Sequence, residues 1–292
     1  MQLHSIETGN FKLDGGAMFG VVPKSIWNKL NPADENNLCT WALRCMLIID
    51  GDRKILIDTG MGNKQDPKFF SHYHPSNTTS LSQALQKHAI QTTEITDVLL
   101  THLHFDHVGG AIENKDGKLC TVFPNATYWM SEPQWELAMH PNKREKASFL
   151  KENIEPIKAA GQLKLITIPP YHGKGALQEI HFSENISCLV VNGHTQCMLL
   201  PKITKGNHTL VYMADLLPSV GHIPIPYVMG YDMQPLVTLD EKEIFLQEAL
   251  QKNYTLFFEH DPVNECCNLQ MTEKGIRAHE IYSLAHWMEK TA

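Results

Sequence analysis

Three histidines and one aspartate fall within six residues in the first half of this chain. They belong to segment 101–110, with the sequence THLHFDHVGG, which directly follows the apolar run 98–100. Imidazole and carboxylate groups are ligands that divalent transition metals prefer. The chain has 16 histidines, so two neighbours could arise by chance. An HxHxDH array at a strand end, followed by two glycines, instead indicates a metal site.

Four further residues with metal-ligand side chains follow apolar runs elsewhere in the chain. They are Asp58, His194, Asp215 and His260. Side chains at strand ends lie above a sheet edge, where the ligand sites of α/β folds are found. Each of the three later residues, taken singly, is typical of an ordinary hydrogen-bonded polar residue. Taken together with the array, they supply the side chains that a site for two metal ions requires.

The spacing of the array indicates how two ions would be bound. Residues two apart in an extended segment point the same way, so His102 and His104 are predicted to bind the first ion. Asp106 and His107 lie at the turn into the next element and are predicted to face a second ion. The remaining candidate ligands are His194 for the first ion, His260 for the second, and Asp215 as a carboxylate bridge between both.

Strands and helices that would position these residues can be predicted from the hydrophobic pattern. A hairpin is expected over 41–57, and a helix over 80–88 with Ser80 as its cap. The β-α-β order that follows is typical of a layered α/β architecture. Other predicted strands cover 95–101, 127–130, 163–168, 186–191, 196–200, 209–213 and 254–258, and helices cover 240–251 and two pieces of 133–160. The charges around Glu145 are typical of a solvated helix face.

Two segments are candidates to line a substrate pocket. Residues 1–40 are predicted to form a short strand and then a long loop through 14–20, which is either a surface arm or a flap over the site. Within this loop, Met18 and Phe19 are apolar side chains between glycines. The Pro-rich segment 218–235 adds three further candidates, His222, Tyr227 and Tyr231. Pockets for small molecules are mostly apolar, but packing in the core explains these residues equally well.

The bulk composition excludes several classes of protein. With 292 residues, 42% of them hydrophobic, the chain is expected to form a single domain over 1–292 with an N-terminal arm or flap over about 1–40. A net charge of −7 argues against nucleic acid or an anionic membrane as partner. Seven scattered cysteines without a CxxC motif, and an N-terminus unlike a signal peptide, predict a reducing, cytoplasmic location. An apolar N-terminal arm is compatible with a homodimer.

The ligand pattern resembles that of the metallo-β-lactamase-fold hydrolases. The matching residues are the HxHxDH array, His194 in a Gly-His-Thr context, Asp215 and His260. Segment 56–60, LIDTG, resembles the first motif of that superfamily. There the resemblance makes Asp58 a carboxylate that supports a ligand histidine, rather than only a turn residue. The resemblance implies an α/β fold, an αβ/βα four-layer sandwich with the metals at one edge of its sheets.

Among the branches of the superfamily, the quorum-quenching lactonases are the most similar. A complete ligand set with Asp215 as bridge is shared with glyoxalase II and with phosphodiester and phosphotriester hydrolases. Only about thirty residues follow His260, which is too few for the helical domain of glyoxalase II. One feature departs from the lactonases, because Leu216-Leu217-Pro218 stands where they carry a tyrosine after the bridging aspartate.

The resemblance implies a dinuclear metal-dependent hydrolase of small molecules. A bridging hydroxide would attack an ester or lactone carbonyl, with Asp106 orienting it or moving its proton. Two divalent ions are expected, zinc first, with iron, manganese and cobalt as alternatives. The alternatives in function are a phosphodiester, phosphotriester or thioester hydrolase, a non-hydrolytic metal-binding protein, and a mononuclear iron oxygenase that uses two histidines and one aspartate.

Overall fold

The structure is a computed structural model that describes residues 1–173 and 175–292. Its strands are β1 (Gln2–Asp14), β2 (Leu38–Asp50), β3 (Arg53–Ile57), β4 (Asp97–Leu99), β5 (Ile112–Lys115), β6 (Lys118–Thr121), β7 (Thr127–Ser131), β8 (Leu163–Ile166), β9 (Gln178–Ser183), β10 (Ile186–Val191), β11 (Met198–Lys205), β12 (His208–Tyr212), β13 (Thr255–Phe257), β14 (Cys266–Thr272) and β15 (Gly275–Tyr282). Its α-helices are α1 (Gly15–Phe19), α2 (Lys24–Trp27), α3 (Pro67–Ser71), α4 (Leu81–Gln86), α5 (Phe105–Val108), α6 (Glu132–Met139), α7 (Glu155–Ala159), α8 (Pro235–Gln251) and α9 (Leu284–Lys290).

The chain divides into two compact units, each assembled from two separate stretches of sequence. The first unit contains Met1–Asn10 and Leu43–Ile168, and the second contains Phe11–Ala42 and Pro169–Ala292. Strands β1 and β2 therefore contribute residues to both units. Residues 1–40, the expected arm, are likewise divided between the two units. The role of this arm as a flap stays a prediction. The organisation of the chain as a single domain also stays a prediction.

The first unit is built on the six-stranded sheet with the order β1-β2-β3-β4-β7-β8. The predicted hairpin is present, since β2 pairs antiparallel with β3, and β3, β4, β7 and β8 are parallel to one another. All three residues of β4 are buried, as expected for a central parallel strand covered on both faces. The predicted helix cap is also present, because the Ser80 side chain accepts the N–H of Gln83 at the start of α4.

The second unit is built on the seven-stranded sheet with the order β15-β14-β13-β12-β11-β10-β9. Its strands pair antiparallel except β12 and β13, which are parallel. Helix α8 begins at Pro235, five residues before the predicted start, because proline is already set for the first turn of a helix. Among the described residues, no helix is both long and apolar enough to cross a membrane.

One expectation for the N-terminal region is wrong. Residues 15–19 form α1 rather than part of a long loop, and the strand before them is 13 residues long. The helix begins because the Asp14 carboxylate accepts the N–H of Ala17 at 2.8 Å, a cap that offsets the low helix propensity of the two glycines that follow.

Lys242 of α8 is fully buried and holds the Pro-rich segment of the second unit. Its ammonium group donates to the carbonyl oxygens of Pro224, Ile225 and Tyr227 at 3.0, 3.2 and 2.8 Å. Burial lowers the pKa of Lys242 to about 7, although the negative charge of Asp232 opposes this shift. The amine can therefore lose its proton in the folded chain near neutral pH.

This lowered pKa predicts a pH-dependent contribution of Lys242 to stability. Below pH 7 the amine is charged in both states. Between pH 7 and 10.5 the unfolded chain binds a proton that the folded chain lacks, so the free energy of unfolding rises with pH, by up to ~1.4 kcal/mol per unit. Denaturant unfolding at a series of pH values measures this effect: the free energy of unfolding should rise more steeply with pH in the wild type than in Lys242→Met. Lys252→Met, at the exposed end of the same helix, should keep the wild-type slope; equal slopes in all three proteins would contradict the prediction.

Candidate metal centre

Segment 58–62, directly after β3, holds the array of the first unit in place. The N–H of Thr59 donates to the carbonyl of His107 at 2.7 Å, and the N–H of Gly110 donates to the carbonyl of Gly60 at 2.9 Å. This approach requires glycine, because a Cβ on Gly109 would lie 2.0 Å from the Met61 carbonyl oxygen. The two glycines that end the THLHFDHVGG segment therefore let two backbone segments meet beside the ligands.

The first ligand group comprises His102, His104, Asp106 and His107, all buried. The His102 Nε2 and His104 Nδ1 atoms lie 3.1 Å apart. Ligand atoms of His102 and His107, and of Asp106 and His107, lie within 4.8 Å of one another. The structure thus brings together all four residues that the spacing of the array selected.

Asp58 contacts this group through His107. The Asp58 carboxylate accepts the backbone N–H and the hydroxyl of Thr101 at 2.8 and 2.7 Å, and its Oδ2 lies 3.1 Å from His107 Nδ1. A carboxylate at this position favours the His107 tautomer with the proton on Nδ1, in which Nε2 carries the lone pair that could bind a metal ion. The position of Asp58 is therefore compatible with a carboxylate that orients the His107 ring. This supporting role stays a prediction.

Glu145 is a buried acid beside the first ligand group that the sequence does not reveal. Its carboxylate is only 2% exposed, and Oε1 lies 3.6 Å from His104 Nε2. The interpretation of Glu145 as part of a solvated helix face is therefore wrong. It follows Arg144 in a strongly charged stretch, and no local pattern distinguishes it from the exposed acids nearby.

The second ligand group comprises His194, Asp215 and His260 in the second unit, again all buried. Asp215 presents one oxygen to each histidine: Oδ2 lies 3.1 Å from His194 Nε2, and Oδ1 lies 3.1 Å from His260 Nε2. The three residues come from the ends of β10, β12 and β13. The structure thus brings together the three candidates that were weak when taken singly.

The second nitrogen of each histidine in this group also has a defined partner. His260 Nδ1 lies 2.8 Å from the carbonyl oxygen of Ala42, and His194 Nδ1 lies 2.9 Å from Asp232 Oδ1. A carbonyl only accepts hydrogen bonds, so a neutral His260 ring carries its proton on Nδ1 and turns its Nε2 lone pair to Asp215. Asp232 is a residue of the Pro-rich segment to which the sequence assigned no role.

The donor set of each group fits a divalent transition metal. Two ligands of a tetrahedral ion, each at about 2.0–2.1 Å, lie roughly 3.4 Å apart. The ring nitrogens of His102 and His104, and each histidine–Asp215 pair, are separated by 3.1 Å. Imidazole and carboxylate ligands without cysteine suit zinc, manganese, iron and cobalt. The clusters therefore support binding of divalent metal.

The predicted substrate-lining residues Met18, Phe19 and His222 are packed in the second unit. The Phe19 ring is stacked on His222 with centroids 4.4 Å apart, and His222 Nε2 donates to the Met18 carbonyl at 2.9 Å. Burial lowers the pKa of His222 to about 3, so the ring is neutral. Tyr227 meets Phe19 edge-on, and Tyr231 is 37% exposed. These are packing contacts, and a role of the five residues in lining a pocket stays a prediction.

A group of aromatic rings lies beside the first ligand group. Phe105 of α5 contacts Phe69 at 5.3 Å and Tyr73 at 4.6 Å between ring centroids. Burial and the nearby charge of Asp106 both raise the pKa of Tyr73. We call Phe69, Tyr73 and Phe105 the aromatic wall. The sequence contained one signal for it, the phenylalanine inside the HxHxDH array.

Comparisons with known proteins agree with this geometry. The family model of the metallo-beta-lactamase superfamily matches residues 43–186. No curated protein matches the chain. A solved probable metal-dependent hydrolase from Staphylococcus aureus is 26% identical, with a TM-score of 0.85 over 96% of this chain and 95% of that one.

Two further structures share the fold. AidC, a dizinc quorum-quenching lactonase solved with a product, is 22% identical with a TM-score of 0.72, covering 96% of this chain and 95% of that one. The hydrolase AbOPH is 21% identical with a TM-score of 0.75, covering 97% and 94%. The predicted fold class, the α/β metallo-β-lactamase fold, is confirmed, as is the resemblance in fold to the lactonases.

Proposed function

We propose that this chain is a metal-dependent hydrolase of the metallo-β-lactamase superfamily, whose family model matches residues 43–186, and that its seven candidate ligands bind two divalent ions. The first ligand group would supply two histidines to one ion and Asp106 with His107 to the other. His194 and His260 would complete the two sets, with Asp215 as the bridge. Zinc is the first expectation, and iron, manganese or cobalt would suit the same ligands.

The observation that carries this proposal is the pair of contacts made by Asp215. Each of its oxygens lies 3.1 Å from the Nε2 atom of a different histidine. For His260, the Nδ1 proton is directed to a carbonyl, so Nε2 offers a lone pair to a carboxylate oxygen. This nitrogen and this oxygen are both hydrogen-bond acceptors, so their close approach is favourable when a cation binds both of them. A carboxylate whose two oxygens both make such contacts suits a bridge between two ions.

When bound, the two ions would supply a hydroxide nucleophile near neutral pH and stabilise the oxyanion of a tetrahedral intermediate. The chain's own residues would then orient the reaction. The Asp106 carboxylate would accept the proton released as water becomes hydroxide and would return it to the leaving group. Asp58 would keep His107 in one orientation through its hydrogen bond to Nδ1.

A small-molecule ester or lactone is the substrate class that we propose. The aromatic wall offers an apolar surface next to Asp106, which suits an acyl or alkyl substituent. AidC, which has the same fold, is a lactonase whose structure contains an N-acyl homoserine product. Phosphotriester, phosphodiester or thioester hydrolysis is the alternative, because the same ions would stabilise those transition states equally. A homodimer stays a prediction.

Metal analysis followed by a substrate panel tests the proposal. We expect about two transition-metal ions per chain, loss of hydrolysis after chelation, and recovery on adding zinc. The panel should contain matched lactones, esters, thioesters and phosphotriesters, so that the preferred bond is identified. Protein without bound transition metal, and with stability unaffected by chelator, would contradict the proposal. One iron per chain, with oxygen consumption on a persulfide, would indicate the mononuclear oxygenase instead.

A further inference from the structure

The three residues before α8 are bound to the loop that carries His194. The backbone N–H of Met233 donates to the His194 carbonyl at 3.1 Å, and that of Gln234 donates to the Gly193 carbonyl at 2.8 Å. The third residue, Asp232, contacts the His194 ring itself, with Oδ1 2.9 Å from Nδ1. Both the backbone and the side chain of this candidate ligand are therefore held by one short segment.

Helix α8 holds the other side of the same loop. The Glu241 carboxylate accepts the N–H groups of Asn192 and Gly193 at 2.6 and 2.9 Å. The loop lies directly on the first turn of the helix, since a Cβ on Gly193 would be 2.5 Å from the backbone nitrogen of Thr238. These contacts fix the backbone of His194, and the orientation of its ring depends on contacts that the ring itself makes.

From these contacts we propose that Asp232 is a positioning residue that keeps the His194 proton on Nδ1 and aims Nε2 at a bound metal ion. The inference rests on the proposed function, because it concerns a ligand of the same centre. Asp232 is 2% exposed, and a carboxylate accepts hydrogen bonds but donates none. A neutral imidazole has one N–H, which this contact places on Nδ1.

The contact on the far side of the ring supports this assignment. His194 Nε2 lies 3.1 Å from Asp215 Oδ2, so the ring stands between two carboxylates. With the only proton directed to Asp232, Nε2 and Asp215 both offer lone pairs to the same place. A cation bound there satisfies both, and the Asp232 carboxylate raises the basicity of the nitrogen that binds it.

Asp232→Asn tests the inference, since asparagine keeps the size of the side chain but loses its charge. We expect the variant to bind zinc roughly 10- to 100-fold more weakly in chelator competition. The absorption spectrum of the Co²⁺ form should also change, because the geometry of one ligand is altered. Asp240→Asn is the matched control, an exposed aspartate on α8, the helix that follows Asp232, and should leave both measurements unchanged.

The outcomes separate this inference from the proposed function. Zinc affinity within twofold of the wild type, with an unchanged cobalt spectrum, would overturn the role of Asp232 even if the protein hydrolyses its substrates. A lower thermal midpoint of the metal-free variant with unchanged affinity and spectrum would mean that Asp232 only stabilises the fold, and would also overturn it. Weakened zinc binding in a protein inactive on the whole panel would uphold Asp232 and overturn the hydrolase. A wild type that binds no divalent metal would overturn both.

Discussion

Replacing His102 and His104 together by alanine is expected to abolish hydrolysis and to remove at least one metal ion per chain. The two ring nitrogens are 3.1 Å apart and buried, and the alanine side chain has no atom that can bind a metal ion in their place. Loss of an ion removes several kcal/mol of transition-state stabilisation. About 4 kcal/mol corresponds to a roughly thousandfold fall in kcat/KM. Steady-state kinetics and metal analysis on the purified variant measure both effects.

The matched control replaces two histidines of the same unit that lie outside the array, His88 and His140. This double variant should retain its metal content and its activity within about twofold, because His140 is exposed and the half-buried His88 ring contacts His4 rather than a candidate ligand. Circular dichroism should show that both double variants are folded. Full activity in the His102→Ala/His104→Ala protein would refute the assignment of these residues as ligands.

The second large effect is expected from adding one methyl group at Gly109. The Cβ of alanine would lie 2.0 Å from the carbonyl oxygen and 2.5 Å from the carbonyl carbon of Met61. Both are backbone atoms, so segment 58–62 must move away from α5. We expect Gly109→Ala to lower the free energy of unfolding by about 3 kcal/mol or more, since overpacking against backbone cannot be relieved by a rotamer change.

The displacement should also affect metal binding, because the same segment carries Asp58 to His107. Denaturant unfolding and zinc affinity should therefore fall together in Gly109→Ala. Gly51→Ala provides the comparison: its Cβ would meet no atom within 4 Å, but its φ of +59° places alanine in the left-handed region. That variant should lose only about 1–2 kcal/mol and keep its zinc affinity. Equal losses of stability in both variants would contradict the steric explanation.

The candidate ligands could be predicted from the sequence because they share one rule. Each follows a buried strand, and buried strands are visible as apolar runs whatever their distance apart in the chain. The array could be recognised from its local sequence alone, whereas the role of Asp58 was predicted only from the family resemblance. His194, Asp215 and His260 became strong candidates only as a set, and in the structure the two histidines each contact one oxygen of the Asp215 carboxylate.

The residues that support the ligands could not be predicted in the same way. Asp232 and Glu145 are buried, but neither follows a strand, and an acid in a polar stretch is usually exposed. Their burial depends on contacts with residues distant in sequence, which a local pattern does not contain. Strands β14 and β15 were missed for a related reason: Met271 and Ile281 face solvent, so the alternation of polar and apolar residues is weak.

The division of the chain into two discontinuous units has a consequence for its biosynthesis. Every residue of the first unit has been made once Ile168 is added, so its array can form while the rest is still being translated. The second unit starts with Phe11–Ala42, but its remaining residues lie in Pro169–Ala292. At ~5–20 residues per second, Phe11 and Phe19 wait about ten seconds or more for their later ring partners, His260 and His222. This early apolar segment is where a nascent chain would most need protection by a chaperone.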